Sequence, residues 1–220
     1  MKITYYGHSC FMLEENIKIL TDPFISNNPL STIDLYRLKP DIILLTHDHS
    51  DHMGDTIEIA ENSGAIVITL FDIAQKLNKF NVTTLGGNLG GTIEHKGCKF
   101  TFVRADHSST TGRPVGFVID CGLKRIYFAG DTNVFYDMKI IHDLYNPEIA
   151  MLPIDGYFNM GSREAVYALK LLEVSKVIPM HYGTFPLLKG TPADLKKEID
   201  KNALDIEMLV FEINETKELK

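Results

Sequence analysis

Thr46-His47-Asp48-His49-Ser50-Asp51-His52 follows directly on the apolar run Ile42 to Leu45. Side chains on a strand alternate between its two faces. The His47, His49 and His52 imidazoles and the Asp51 carboxylate can therefore converge on one place only if the backbone leaves the strand and closes into a tight loop. The pattern His-x-His-x-Asp-His thus predicts a buried strand, a polar loop at its C-terminal end, and then a helix. Ile57, Ile59 and Ala60 supply the apolar face of that helix, and Asn62-Ser63-Gly64 stops it near Glu61. Imidazole and carboxylate donors together suit zinc and other first-row cations. A solvated His/Asp turn is the bland alternative, but this spacing behind a β-rich apolar strand is much rarer than such turns are.

Working outward, Ile3 to Tyr6, Cys10 to Leu13 and Ile17 to Leu20 read as a strand meander, with Glu14-Glu15-Asn16 as a turn. Downstream, Ala65 to Leu70 reads as a strand and Asp72 to Lys79 as a short helix. Gly86-Gly87 with Gly90-Gly91 then brackets a turn or loop before strands near Ile93 and over Lys99 to Arg104. Val115 to Asp120 and Arg125 to Ala129 form a hairpin around Cys121-Gly122-Leu123-Lys124. A helix around Phe135 to Leu144, a strand at Glu148 to Leu152 and a helix from Arg163 to Val174, capped by Ser162, follow. Strand Val177 to Met180, helix Ala193 to Lys201 and strand Glu207 to Phe211 complete the series. Each half passes from a strand meander into alternating strands and helices, and no Pro/Ser-rich linker divides them. The expectation is an α/β chain with two sheets packed together and helices outside, forming one domain over residues 1–220.

With 220 residues and 45% hydrophobic content, the chain can bury a core without covalent staples. Cys10, Cys98 and Cys121 are scattered, odd in number and lack a Cys-x-x-Cys spacing, so they read as core or near-core thiols rather than a disulfide framework or zinc knuckle. The net charge of -7 repels polyanions and no basic stripe offsets it, which removes nucleic acid as a default partner. No apolar run approaches the roughly 20 residues that cross a bilayer. Lys2-Ile3-Thr4-Tyr5-Tyr6 reads as a strand rather than a signal peptide. The expectation is a cytoplasmic protein without membrane attachment that acts on a small-molecule substrate; a homo-oligomer stays open. The Lys/Glu-rich tail after Asn214 reads as a frayed, solvated terminus.

The His/Asp stretch resembles the metal-binding motif of the metallo-β-lactamase superfamily. That resemblance implies a four-layer αββα sandwich and further ligands at strand ends downstream. His107 in Ala105-Asp106-His107-Ser108, Asp131 in Ala129-Gly130-Asp131-Thr132 and His181 in Pro179-Met180-His181-Tyr182-Gly183 stand at such places, each behind an apolar strand. Alone each is a weak signal; as an ordered set they complete a site. Carried over residue by residue, His47, His49 and His107 hold one metal, Asp51, His52 and His181 the other, and Asp131 bridges them. Two divalent ions are implied, zinc first, with manganese, iron or nickel as alternatives because ligation without thiolate fits several ions. The implied nucleophile is a metal-bound hydroxide, since bound water can lose its proton at about pH 7, with the second metal steadying the developing oxyanion.

Over almost the whole chain the sequence is similar to a family of metal-dependent hydrolases related to L-ascorbate-6-phosphate lactonases. Gly7-His8-Ser9, Thr21-Asp22-Pro23-Phe24, Gly116-Phe117, Gly130-Asp131-Thr132, Met160-Gly161 and the His181 stretch carry the likeness. It implies that His8 faces the metal pocket, contacting substrate or moving a proton, and counts with the ligand Asp51 among the catalytic groups. It also implies that Asp22 lies beneath the metal loop as the acceptor that orients it. Asn133 stands where relatives often have a small residue, and Ser108 to Pro114 is short for the loop after the third histidine. Arg113 reads as a solvated loop residue rather than an anion clamp, and Tyr157, Phe158 and Met160 as packing rather than pocket lining. The implied activity is hydrolysis of a small ester, lactone or phosphorylated sugar-like substrate. Phosphodiesterase or nuclease chemistry and thioester hydrolysis are the enzymatic rivals; the larger nucleases carry an inserted second domain, for which 220 residues leave no room. The rival of another class is a metal-binding regulatory protein without turnover, against which the filled ligand positions weigh.

Overall fold

Ile42, Ile43 and Leu44 have no exposed surface, the pattern of a strand covered on both faces. The computed structural model to which they belong describes residues 1–219 and sorts into two units, neither continuous in sequence. The first unit comprises Met1–Gly91, Ser108–Arg113 and the chain from Phe211 onward; the second comprises Thr92–His107 and Pro114–Val210.

The first unit is built on β1 (Lys2–Gly7), β2 (Cys10–Glu14), β3 (Lys18–Thr21), β4 (Ile42–Leu44), β5 (Ile66–Leu70) and β6 (Thr84–Gly87), side by side in that order. The pairs β1/β2 and β2/β3 are antiparallel, and β3 through β6 run parallel. Hence β1, β3, β4 and β5 all end at the same edge of the sheet. Helices α1 (Ser50–Met53), α2 (Thr56–Ser63) and α3 (Phe71–Leu77) connect the parallel strands. Gly86, expected in a turn, lies inside β6: a Cβ there would stand 3.0 Å from both the Ala74 Cβ and the Phe71 Cα. Glycine in that strand lets α3 approach its backbone.

The expected frayed tail is also corrected. Thr216–Glu218 forms a strand antiparallel to β1, pairing Thr4 with Thr216 and Lys2 with Glu218. The Thr4 and Thr216 hydroxyls meet at 2.7 Å. Alternating charges that look like a solvated tail serve equally well as the wet face of an edge strand.

In the second unit, β7 (Thr92–His95), β8 (Cys98–Arg104), β9 (Val115–Asp120), β10 (Arg125–Phe128), β11 (Ile149–Pro153), β12 (Lys176–Met180) and β13 (Glu207–Met208) again lie in sequence order. β7 to β10 alternate antiparallel and β10 to β13 run parallel. The series β8 to β12 therefore repeats the directions of β1 to β5, and β8, β10, β11 and β12 end at one edge. Phe100, Phe102, Phe117, Tyr127 and Phe128 are fully buried. Gly116 makes room within this sheet, since a Cβ there would stand 2.9 Å from the Phe128 carbonyl. Helices α4 (Met138–Tyr145), α5 (Ser162–Leu172) and α6 (Pro192–Lys201) link the parallel strands. Ser162 is the first residue of α5 rather than its cap; Gly161 holds that place and donates its N–H to Glu164. β13 stops at Met208, short of the expected Phe211, which packs edge-on against Phe11 of the first unit, to which it belongs, with ring centroids 6.3 Å apart. Among the described residues no helix is long and apolar enough to cross a membrane.

The expectation of three thiols is wrong for two of them. Cys98 and Cys121 are joined in a disulfide, and Cys10 is a buried thiol. The pairing follows from register: Lys99 lies opposite Asp120 in the β8/β9 ladder, which brings the flanking cysteines together across a separation of 23 residues. Unfolded without reductant, the protein should therefore titrate as one thiol per chain, rising to three after reduction. Replacing both bridged cysteines by alanine should lower the unfolding free energy by about 2–4 kcal/mol in a denaturant titration. Three reactive thiols before reduction would show that the bridge does not form.

Candidate metal centre

Three strand ends of the first unit bring His8, Asp22 and residues 46–52 to one edge, with Ser50 to His52 opening α1 where the sequence predicts a loop, and Asp22 fixes Thr46 and His52 there. It is completely buried, just past β3, with its N–H donated to the Leu44 carbonyl. Its Oδ1 accepts the Thr46 N–H at 2.8 Å, and its Oδ2 accepts the Thr46 hydroxyl at 2.7 Å and Nδ1 of His52 at 2.8 Å. Thr46 Oγ1 also lies 2.9 Å from Nδ1 of His47. A hydroxyl has one hydrogen, already given to Asp22, so His47 must be the donor in this contact. The network thus assigns the proton of both His47 and His52 to Nδ1 and directs the lone pair of Nε2 the other way. Nε2 of His47 lies 3.0 Å from Nδ1 of His49, and the His47 and His52 ring centroids are 4.2 Å apart. Such a convergence of imidazole nitrogens, held from behind by an oxygen, is how proteins prepare histidines for a cation.

His8 is fully buried, with Nε2 3.2 Å from Oδ2 of Asp51 and its ring edge-on to Phe24. Gly54 allows the loop below to close, because a Cβ there would meet the Pro23 carbonyl at 2.4 Å.

In the second unit, His107 follows β8, Asp131 follows β10, Asp155 follows β11 and His181 follows β12. Oδ2 of Asp131 lies 3.1 Å from Nε2 of His181 and 3.5 Å from Nε2 of His107. Nδ1 of His181 faces Oδ2 of Asp155 at 3.1 Å. Asp155 is completely buried, and its Oδ1 accepts the N–H groups of Tyr157 and Phe158 at 2.8 and 2.7 Å. Burial alone would raise its carboxyl, but the His181 ring and these two N–H groups outweigh burial and hold it down at about 2. His181 is thus anchored through Nδ1 by a carboxylate, as His52 is in the first unit.

His8, Asp22 and His181 share a backbone feature. Their φ angles are 58°, 31° and 57°, in the left-handed region that non-glycine residues avoid. Each residue costs about 1–3 kcal/mol there, and such strain is concentrated at functional sites. Turning left-handed at a strand end redirects the side chain.

A model of the beta-lactamase superfamily domain matches residues 2–181. A UPF0173 metal-dependent hydrolase of Korarchaeum cryptofilum is 45% identical over 221 residues, covering 100% of both chains, and one of Methanosarcina mazei is 42% identical over 228 residues, covering 100% of this chain and 99% of the other. The chain belongs to the UPF0173 metal-dependent hydrolase family. A solved metallo hydrolase from Ignicoccus hospitalis superposes with a TM-score of 0.92 at 37% identity, over 100% of this chain and 99% of that one. The fold is accordingly that of the metallo-β-lactamase superfamily.

Sequence reasoning about this hydrolase found the ligand-type residues and Asp22 but missed Asp155. Its signal was available: Pro153-Ile154-Asp155-Gly156 is an acidic residue ahead of glycine at the end of an apolar strand. Tyr157 and Phe158, read as packing, are instead exposed, at 60% and 54%, while Met160 is buried as expected. Arg113 and Asn133 are exposed.

Because Asp22 satisfies three buried donors at once, Asp22→Ala should destabilise the metal-free protein by about 3–5 kcal/mol, and Asp22→Asn by less, since the amide keeps an acceptor oxygen. Denaturant unfolding measures this; a loss below about 1 kcal/mol in the alanine variant would show that the contacts do not support the loop.

Proposed function

We propose that this chain carries a two-metal hydrolytic centre. In this reading His47, His49 and His107 hold one ion, Asp51, His52 and His181 hold the other, and Asp131 bridges them, with zinc the first choice. The observation that supports it best is the position of Asp131, whose Oδ2 stands between the Nε2 atoms of His107 and His181, residues assigned to different ions. The donor set fits such ions: His47, His52 and His181 each have Nδ1 against an oxygen, so that Nε2 is the atom offered.

Bound divalent ions would acidify a water for attack and polarise a carbonyl or phosphoryl oxygen. The chain does the remainder. Asp22, Thr46 and Asp155 hold the histidine rings in one tautomer and orientation. His8 holds Asp51 through Nε2, and we assign it to turnover rather than to metal retention. The substrate class is a small ester, lactone or phosphorylated sugar-like molecule, in keeping with a chain of net charge -7 without a basic stripe. A cytoplasmic location belongs to this reading; the Cys98–Cys121 bridge weighs against it, since disulfides persist mainly in oxidising compartments.

Metal analysis after reconstitution tests the centre: about two ions per chain are expected, both lost in Asp131→Ala and mainly one in His181→Ala. A stoichiometry fixed at one under excess zinc or manganese would overturn the assignment. Reconstituted protein should hydrolyse members of a panel of aryl esters and lactones in preference to phosphodiesters. His8→Ala should keep both ions while its rate on the best substrate falls by about 10²–10⁴-fold. Full activity in that variant would remove His8 from the mechanism.

A further inference from the structure

Asp48 lies between two of the proposed ligands, where a spacer of any kind would preserve the histidine interval. It does more than separate them. Its side chain is 8% exposed, and its Oδ1 accepts the Ser109 hydroxyl at 2.8 Å, the Thr110 N–H at 2.8 Å and the Thr111 N–H at 3.2 Å. Lys76 of α3 stands 3.6 Å from Oδ2 and also donates to the Thr111 hydroxyl. Burying a carboxylate is costly unless several donors meet it, and charge-assisted bonds of this kind are about twice as strong as neutral ones.

The partner segment is unusual in its course. Ser108–Arg113 belongs to the first unit, although residues on both sides of it belong to the second. It begins immediately after His107, and it turns at Gly112, whose φ is 67° and where a Cβ would stand 3.1 Å from Oδ2 of Asp72 and 3.3 Å from Leu70. The excursion is therefore seated on β5 and α3, and Asp48 is the group that ties it to the histidine loop.

We propose that Asp48 is a positioning residue that pins Ser109–Thr111 to the His47–His49 loop and so holds His47 and His49 in place for the first metal. One carboxylate then links His47 and His49, its neighbours in the chain, to a segment that starts one residue beyond His107. The metal part of this proposal rests on the two-ion reading; the pinning itself does not.

The pinning is measured in the metal-free protein by amide hydrogen exchange. In Asp48→Ala the Thr110 and Thr111 amides should exchange about tenfold faster or more, while amides of β4 and β9 keep their protection. Asp48→Asn, which retains an acceptor oxygen, should restore most of the protection. Ser109→Ala removes one donor and leaves the carboxylate in place; it should give the same change to a smaller extent, and it serves as the test should Asp48→Ala not fold. With zinc added, the ion sensed by the imidazole NMR signals of His47 and His49 should bind about 10–100-fold more weakly in Asp48→Ala, and the ion sensed by His52 should bind as in the wild type. Unchanged exchange at Thr110 and Thr111 would overturn the proposal. Equal weakening of both ions, together with faster exchange throughout β4, would overturn it in favour of general loosening. A wild-type chain that takes up a single ion would sink the two-metal reading and leave the exchange result to decide the role of Asp48.

Discussion

The buried carboxylate of Asp22 is the interaction on which the geometry of the histidine loop depends. It stands at the end of β3, the loop starts at the end of β4, and the parallel register that sets Thr21 opposite Leu44 decides that the two meet. A slip of one residue would turn every side chain of β4 to the other face and take Thr46 away from its acceptor. With the register in place, one carboxylate fixes a backbone N–H, a hydroxyl and a ring nitrogen, and the hydroxyl passes the constraint to a second ring. Proton positions on two histidines are thus set by sheet pairing several residues away. Every donor is met, which is the condition under which a buried polar network rigidifies its surroundings rather than loosening them.

The same strand plan is used twice, for different ends. Beyond β1 comes His8 and beyond the corresponding β8 comes His107; beyond β3 comes Asp22 and beyond β10 comes Asp131. In the first unit the aspartate supports rings from behind through Nδ1. In the second it faces Nε2, and the supporting role passes to Asp155, one strand further along. Repeating a sheet places side chains at equivalent heights, and loop conformation then determines which of them orient and which are offered to a ligand. This agrees with the general tendency of sites in α/β sheets to gather beyond the carboxyl ends of parallel strands.

What could be read from the sequence was what is local. The interval of the His/Asp motif, the apolar run before it and the stop signal after α2 all lie within some twenty residues, and each describes the structure well except that Ser50 to His52 form the short helix α1 rather than loop. Features that depend on partners far along the chain were illegible. Cys98 and Cys121 have no mutual signature until the register of β8 and β9 is known. Gly86 looked like punctuation because its reason, the approach of Ala74 and Phe71, is tertiary. The acceptors Asp48 and Asp155 resemble ordinary loop aspartates until the N–H groups that meet them are in view. Tyr157 and Phe158 failed in the other direction: aromatic residues suggest burial, yet the N–H groups of both point to Asp155 and leave the rings outside.

The strand at Thr216–Glu218 has a consequence for how the molecule is made. It covers the outer edge of β1 with residues 212 positions away in sequence, and the N-terminal amine reaches the Leu219 carbonyl at 3.3 Å. During synthesis, β1 must therefore wait with an open edge until Thr216–Glu218 has left the ribosome. Open edges invite pairing with other chains, and pairings of such long separation form late. The closeness of Met1 to Leu219 also offers a remedy. A circular permutant that links Leu219 to Met1 through a short connection, reopened at the exposed Gly122-Leu123 turn, would convert this distant pairing into a local hairpin-like one.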